Sequence, residues 1–234
     1  MDSKRYDAIL STLNPMTAHQ IACFLKKQTR LLWVADYRDL WADRHYEKLP
    51  KWYYHVSFWY EKRLLNSTYC LTIVSEPWVE RLHELHQLPS EYISNGFDPE
   101  FVNPGISLDR KLTINYTGSL YGPDKYDPRP LFQALSELKM EGQVDTDNMC
   151  INFYGATPQW LVNEIRTIQY SSQILLLLTW GEEIGDGQYT GKVYEYLTAK
   201  RPILAIWARK ENVVVNGFLN RTNSGFFLLL THMR

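Results

Sequence analysis

The sequence predicts an α/β protein made of two successive units, each a doubly wound parallel sheet. Three observations lead there. Short, continuous apolar runs recur along the chain, among them YDAILS, LLWVA, YCLTIV and ILLLL. Runs without polar alternation are strands buried on both faces. Helical stretches separate them, which makes the connections crossovers and the strands parallel. The pattern then halts at a segment with Gly96, Pro99, Pro104 and Gly105 and begins again, with no repeat in the sequence itself. Glycine and proline so placed suit a domain linker.

In the first unit, residues 6–11 are a buried strand, and Pro15 opens a helical stretch to Lys27. Residues 31–35 are the second strand, ending at Asp36, and 38–50 form a polar, aromatic loop. A helix over 52–66, a strand over 69–74 and a helix over 76–86 follow, then a short strand at 92–93. The second unit opens with a strand at 112–117 and a Gly/Pro/Asp loop over 118–128. A helix at 129–139, a strand at 150–154, a helix at 158–171 and a strand at 174–179 come next. A long loop, 180–189, leads to a helix at 190–199, and strands at 202–206 and 226–230 close the chain. The expected domains are 1–104 and 105–234. Ligands of such sheets bind beyond the carboxyl ends of the strands.

Composition narrows the function classes. At 234 residues, the chain is one large or two small domains. It carries 25 Lys+Arg against 26 Asp+Glu, with 12 basic and 13 acidic before Pro104 and 13 of each from there on. Neither half has the basic excess of a nucleic-acid binder. With 45% hydrophobic and 22% charged residues the chain is not a disordered one. Its 8 Trp and 16 Tyr point to a large core and ring-lined clefts. Cys23, Cys70 and Cys150 are too scattered for a disulfide framework or a zinc site and read as reduced and mostly buried. No signal peptide is visible at the start. The longest apolar run, 174–178, is far short of the ~20 residues of a membrane helix. A soluble, intracellular chain is the expectation, in which the sequons at Asn66, Asn115 and Asn220 have no meaning.

Three constellations could carry chemistry. The first is WGEEIGDGQYTGKVYEYL, residues 180–197. Its glycines let backbone N–H groups approach a ligand, and the helix N-terminus adds free donors and a positive dipole end. Thr190 can cap the helix; Lys192 adds a charge in its first turn, unfavourable to the dipole unless an anion is near. Glu195 shares the lysine's face. A phosphate-bearing ligand with neighbouring hydroxyls satisfies both; a glycine-rich surface loop with a Lys–Glu pair is the alternative. The second, YTGSLYGPDKYD at 116–127, places Gly118, Ser119 and Lys125 after another strand. The two strands should be neighbours, so that both loops flank one crevice. The third, Asp36-Tyr37-Arg38-Asp39-Leu40-Trp41, is either a polar ligand surface or an internal Arg–Asp pair that organises its loop.

Other chemistries are disfavoured. Asp145-Thr146-Asp147 has the D-x-D pattern of metal sites, but precedes its strand and so faces the other sheet edge. His83 and His86 lack a third ligand, so no metal site is expected. No G-x-S-x-G, Walker A or G-x-G-x-x-G motif is present.

These segments resemble the GT-B glycosyltransferases, in particular the family 4-like group (glycosyl transferases group 1). The first unit does so through YDAILSTLNPMTAHQIA, ADYRDLW, SEPWVERL and YISNGFDPEF, the second through INYTGSLY and GKVYEYLTAKRPILAI. The resemblance runs from about Tyr6 to about Gly225. It implies two Rossmann-like domains, a nucleotide-diphosphate sugar held by the second and a glycan or lipid-linked acceptor held by the first. It implies metal-independent sugar transfer with retention, no cofactor beyond the donor substrate, and a place in polysaccharide biosynthesis. A cytoplasmic enzyme, at the inner membrane face through peripheral association, fits that setting. By the same resemblance Glu195 holds the donor ribose. Lys125 and Lys192 stabilise the leaving diphosphate as the catalytic cations, with Gly118, Thr190 and Gly191 beside it. Asp36, Arg38 and Asp39 face the sugar and acceptor.

The sequence departs from the group in four places. Ser119 stands where many members have Arg, and Gly187 where many have an acid, so that contact falls to Asp186 or backbone amides. Residues 157–172 allow only one crossover helix where members have helix, strand, helix. The lost strand would be a sheet edge. The first domain starts at what is the fourth strand of complete members, so its first strand is expected to be an exposed edge prone to self-association. A non-catalytic nucleotide-sugar-binding remnant and a nucleotide-sugar epimerase of the same architecture are the alternatives.

Overall fold

In a computed structural model of the chain, residues 6–43, 50–120, 126–155, 162–179, 190–207 and 213–229 are described. They form two compact units, Met1–Asn95 and Gly96–Arg234.

The first unit runs β1 (Ala8–Thr12), α1 (Thr17–Thr29), β2 (Leu32–Tyr37), α2 (Lys51–Leu65), β3 (Cys70–Ile73), α3 (Glu76–His86) and β4 (Ser90–Tyr92). Its sheet has the order β1-β2-β3-β4, all parallel. Strand β2 shows why: Trp33, Ala35 and Tyr37 alternate with its other residues and are fully buried on one face. They meet Leu65, Leu71, Ile73 and Leu82 in the core. Helices α1 and α3 both stop at a left-handed residue, Arg30 and Gln87, whose N–H groups return to Lys26 and His83 carbonyls. Among the described residues β1 pairs with β2 alone, as expected of an edge, and Leu10 on it is 71% exposed.

The second unit runs β5 (Leu112–Thr117), α4 (Arg129–Met140), β6 (Met149–Tyr154), α5 (Val162–Ser171), β7 (Ile174–Leu178), α6 (Gly191–Ala199), β8 (Ile203–Trp207), α7 (Val213–Thr222) and β9 (Gly225–Leu229). The sheet order is β6-β5-β7-β8-β9, all parallel. The winding reverses at β5, which has β6 on one side and β7 on the other. That is the switch point, and one described helix, α5, crosses from β6 to β7. The ILLLL run is apolar throughout because both its faces are covered. Leu175 and Leu177 pack with Val193, Tyr196 and Leu219, whereas Leu176 and Leu178 pack with Tyr116, Tyr126 and Leu131.

The boundary between units falls at 95/96 where the sequence placed it at 104. Segment 96–104 is tied to the second unit by polar bonds. Asn103 donates from its backbone to Thr198 O (2.7 Å) and from Nδ2 to Ala199 O (3.0 Å). Its Oδ1 accepts from the N–H groups of Gly105 and Ile106, both at 2.9 Å. Arg166 lies 3.5 Å over the Phe101 ring, and the Tyr170 hydroxyl donates to Phe101 O. Asn115 is buried and spends its amide on Ser172 and Asn152, so that sequon has a core role. All three cysteines are free; Cys23 is buried, Cys70 and Cys150 half-buried. No described helix is long and apolar enough to cross a membrane.

Candidate functional site

The carboxyl end of β5 and the first turn of α6 meet in one cluster. Strand β5 directs Tyr116 into the core, where its hydroxyl donates to Ser119 O at 3.0 Å and folds the exit loop back. The chain then turns at Gly118, whose φ of +139° is disfavoured for residues with a side chain. A Cβ there would lie 2.3 Å from both Cε and Nζ of Lys192. Glycine thus supplies the volume that the lysine fills. The Lys192 ammonium donates to the Tyr116 hydroxyl at 2.6 Å and stands 4.2 Å from the Tyr116 ring and 5.2 Å from the Tyr126 ring.

This environment sets the charge of Lys192. Burial pushes its pKa down to about 8, and Glu195 works against that shift. The tyrosine faces and hydroxyl compensate the cation at the positive end of the helix dipole. The sequence expected an anion alone to do so; aromatic rings supply part of it. Glu195 is exposed one turn along α6. Thr190 occupies the N-cap position in extended geometry, but its side chain caps nothing: Oγ1 is buried without a hydrogen-bond partner. The expected cap is therefore corrected to an unspent hydroxyl beside Gly191 and Lys192. Lys125, Asp186 and Gly187 lie outside the described residues.

In the first unit, Asp36 lies one residue before the end of β2 and is an ion-pair partner: Arg38 Nε lies 3.2 Å from its carboxylate, and Thr72 Oγ1 donates to it at 2.8 Å. Arg38 also donates to Asn95 Oδ1. The internal Arg–Asp pair, one of the two readings of this loop, is formed. Asp39 lies in the bend that follows β2.

A buried polar chain behind β2 was not anticipated. Glu61, 2% exposed, accepts from the Tyr37 hydroxyl (2.8 Å) and the Ala42 N–H (3.1 Å), with His86 Nε2 at 3.4 Å. His19 Nδ1 shares a 2.8 Å hydrogen bond with Ser11 Oγ, which accepts from Trp33 Nε1. Burial lowers the His19 pKa to about 4, against the pull of Glu61 and Asp36. The available signal was Glu61's position on the same helical stripe as Tyr54, Phe58 and Leu65.

The D-x-D segment serves structure. Asp145 Oδ1 accepts from the Asp147 N–H at 3.0 Å and its other oxygen from Asn148 at 2.7 Å, ahead of β6. Among the described residues no group of His, Cys, Asp and Glu could hold a metal ion.

No protein-family model matches the chain, and no curated protein matches it. Solved structures do. The chain is similar to Anabaena Alr3699/HepE in complex with UDP, with a TM-score of 0.57 and 11% identity over 98% of this chain and 66% of that one. TarM gives 0.56 and 15% identity over 96% of this chain and 45% of that one. A chain of the GtfA/B complex gives 0.54 and 11% over 96% and 46%. The chain thus spans just under two thirds of the first neighbour and under half of the other two. At these identities the likeness shows the fold, two Rossmann-like parallel-sheet units of the GT-B class.

Proposed function

We propose that this chain is a glycosyltransferase of the family 4-like kind, using a nucleotide-diphosphate sugar as donor. The observation that carries the proposal is the Lys192 ammonium, set at the switch point where the β5 exit and the α6 N-terminus meet. A cation, a helix N-terminus and the unpartnered Thr190 hydroxyl suit a diphosphate. Glu195, exposed on the next turn, suits the vicinal hydroxyls of a ribose. That one neighbour of the same fold is in complex with UDP supports the assignment.

In the reaction, the bond between the anomeric carbon and the diphosphate oxygen breaks, and the diphosphate leaves with the electron pair. An acceptor hydroxyl forms the new bond and passes its proton to the departing diphosphate oxygen. Lys192, with Lys125 and the α6 N-terminus, stabilises the charge growing on the leaving group. These positive groups take the part that a divalent cation plays elsewhere, so transfer needs no metal; retention requires the acceptor hydroxyl to attack the face that the diphosphate leaves. The acceptor is a glycan or lipid-linked sugar, met by the region of Asp36, Arg38 and Asp39, in polysaccharide assembly on the cytoplasmic side.

Titration of UDP and uridine against two variants tests the donor site. Glu195→Ala weakens both by ~1.5–3 kcal/mol, because charge-assisted bonds to the ribose are lost in each. Lys192→Ala weakens UDP far more than uridine, and the loss shrinks with salt. Equal losses for both ligands in the Lys192 variant would remove it from the phosphate site. Unchanged affinity in both variants would sink the proposal. Multiple-turnover sugar transfer by the purified chain separates an enzyme from a binding remnant.

A further inference from the structure

The two ladders of β5 end differently. Toward β6 the strand is paired at every position from Leu112 to Thr117, and the Gly118 N–H continues onto Tyr154 O at 2.7 Å. Toward β7 the pairing covers Ile114–Ile174 and Asn115–Leu175 and stops. If that register ran on by one residue, the Thr117 N–H would be bonded to the Leu176 carbonyl. Tyr196 of α6 stands between them instead. Its hydroxyl accepts from the Thr117 N–H and donates to Leu176 O, both at 3.1 Å, and Thr117 Oγ1 lies at 3.3 Å. The side chain is fully buried, and that burial lifts the phenol pKa to about 12, so the hydroxyl keeps the proton it gives to Leu176. Both backbone groups are thereby satisfied without a direct rung.

The consequence lies in what passes over this gap. Helix α6 packs through Val193 and Tyr196 on the sheet face that carries Leu175 and Leu177. Tyr116 and Tyr126 belong to the core on the opposite face, with Leu176 and Leu178. The Lys192 side chain starts on α6 and ends on the Tyr116 hydroxyl. It therefore crosses from one face to the other at the carboxyl end of β5, above Gly118, whose missing side chain leaves it room. Hydrogen-bonded strands lie ~4.8 Å apart, and a hydroxyl set into a rung adds the length of a second hydrogen bond. Tyr196 also follows Lys192 by four residues on α6, so the side chain that parts the strands anchors the turn that carries the lysine.

We propose that Tyr196 is a positioning residue: its hydroxyl, spliced into the β5–β7 ladder, keeps the switch-point crevice open for the Lys192 ammonium. It acts through the lysine and touches neither donor nor reacting atoms. The inference rests on the donor reading for the diphosphate and on geometry alone for the lysine. A tyrosine that only satisfied two backbone groups would change stability and leave the lysine as it is.

Tyr196→Phe tests this with two readouts, the Lys192 pKa from NMR titration of isotope-labelled lysine and the affinities of UDP and uridine. Without the hydroxyl, Thr117 pairs with Leu176 directly, the crossing narrows and the ammonium moves into water. Its pKa rises from about 8 toward the ordinary 10.5, while Tyr116, Tyr126 and Glu195, the groups that face it, are unaltered in sequence. UDP affinity falls ~10-fold, the worth of a charge-assisted contact, and uridine affinity stays within ~2-fold. Gln169→Leu is the control for stability. It removes the 2.9 Å bond from Gln169 Nε2 to Thr117 Oγ1 and lowers the urea midpoint, but leaves the bridging hydroxyl, the lysine pKa and both affinities in place. In the unsubstituted chain the Tyr196 hydroxyl proton gives a nuclear Overhauser contact to the Thr117 amide, a readout that needs no variant. Absence of that contact, or an unmoved lysine pKa in folded Tyr196→Phe, overturns the proposal. So does an equal pKa shift in Gln169→Leu, which makes the effect one of stability. A lysine pKa that rises while UDP affinity holds sustains the positioning role and sinks the diphosphate reading, so the two fail separately.

Discussion

The Lys192 ammonium lies against Tyr116, Tyr126 and the space above Gly118, and burial brings its pKa down to about 8. Two consequences can be measured by calorimetry. Gly118→Ala puts a methyl group where Cε and Nζ now sit, at a φ that already disfavours it, so the lysine has to swing away. UDP affinity then falls by ~1–2 kcal/mol, the worth of a charge-assisted contact, while uridine affinity holds. Binding of a diphosphate raises the lysine pKa. UDP affinity is therefore maximal below pH 8 and declines above it, by at most about one log unit per pH unit. Uridine shows no such decline, and Lys192→Arg abolishes it. A pH-independent UDP affinity in the parent would take the ammonium out of the site. Lys192 and Gly118 were legible in the sequence from glycine and helix-terminus logic. The two tyrosine rings were not, because nothing local in YTGSLYG says which face its aromatics take.

At the scale of elements, the continuous apolar runs gave the strands, but burial on both faces holds for β5 and β7 and not for β1 and β2, where Leu10 and Leu32 are 71% and 48% exposed. Register was invisible. It pairs Gly225 with Ile203, so close that a Cβ would lie 2.0 Å from the Ile203 carbonyl oxygen. Gly225→Ala should destabilise the second unit by ~1–3 kcal/mol or more in urea unfolding, as overpacking against backbone does. Gly217→Ala is the contrast. It lies inside α7 with only an ordinary 3.5 Å contact to Arg221 Nη1, and the gain in helix propensity stabilises by ~0.5–1 kcal/mol. If both substitutions behave alike, the β8–β9 register is wrong. Helix α2 shows the limit of periodicity from the other side. Its outward tryptophans and inward Glu61 invert the usual pattern, and only the packing against Tyr37 and His86 tells which stripe faces in.

The whole molecule divides its titratable groups unequally. Five of the six histidines precede residue 96, and among them the fully buried His19 is neutral at pH 7. Its pKa is about 4 folded against 6.5 unfolded, so between those values the unfolded chain binds more protons and stability falls as the pH drops. The loss reaches up to ~3 kcal/mol at about pH 4, and the first unit carries it. Amide exchange at pH 5 should therefore speed up in α1, β1 and β2 before it does in the second unit, and His19→Gln should flatten the difference. Simultaneous loosening of both units would refute this. Sequence alone determined the order of elements, the two parallel sheets and the placing of a cation at a helix N-terminus beside a switch point. All of these follow from periodicity and glycine or proline punctuation, which are local to the chain. Tertiary structure decided that the domain boundary precedes Gly96 and that Glu61 is a core residue. It also decided that Lys192 meets a tyrosine 76 residues away. Such meetings depend on strand register and on which side chains fill a shared volume, and no window of sequence contains both partners.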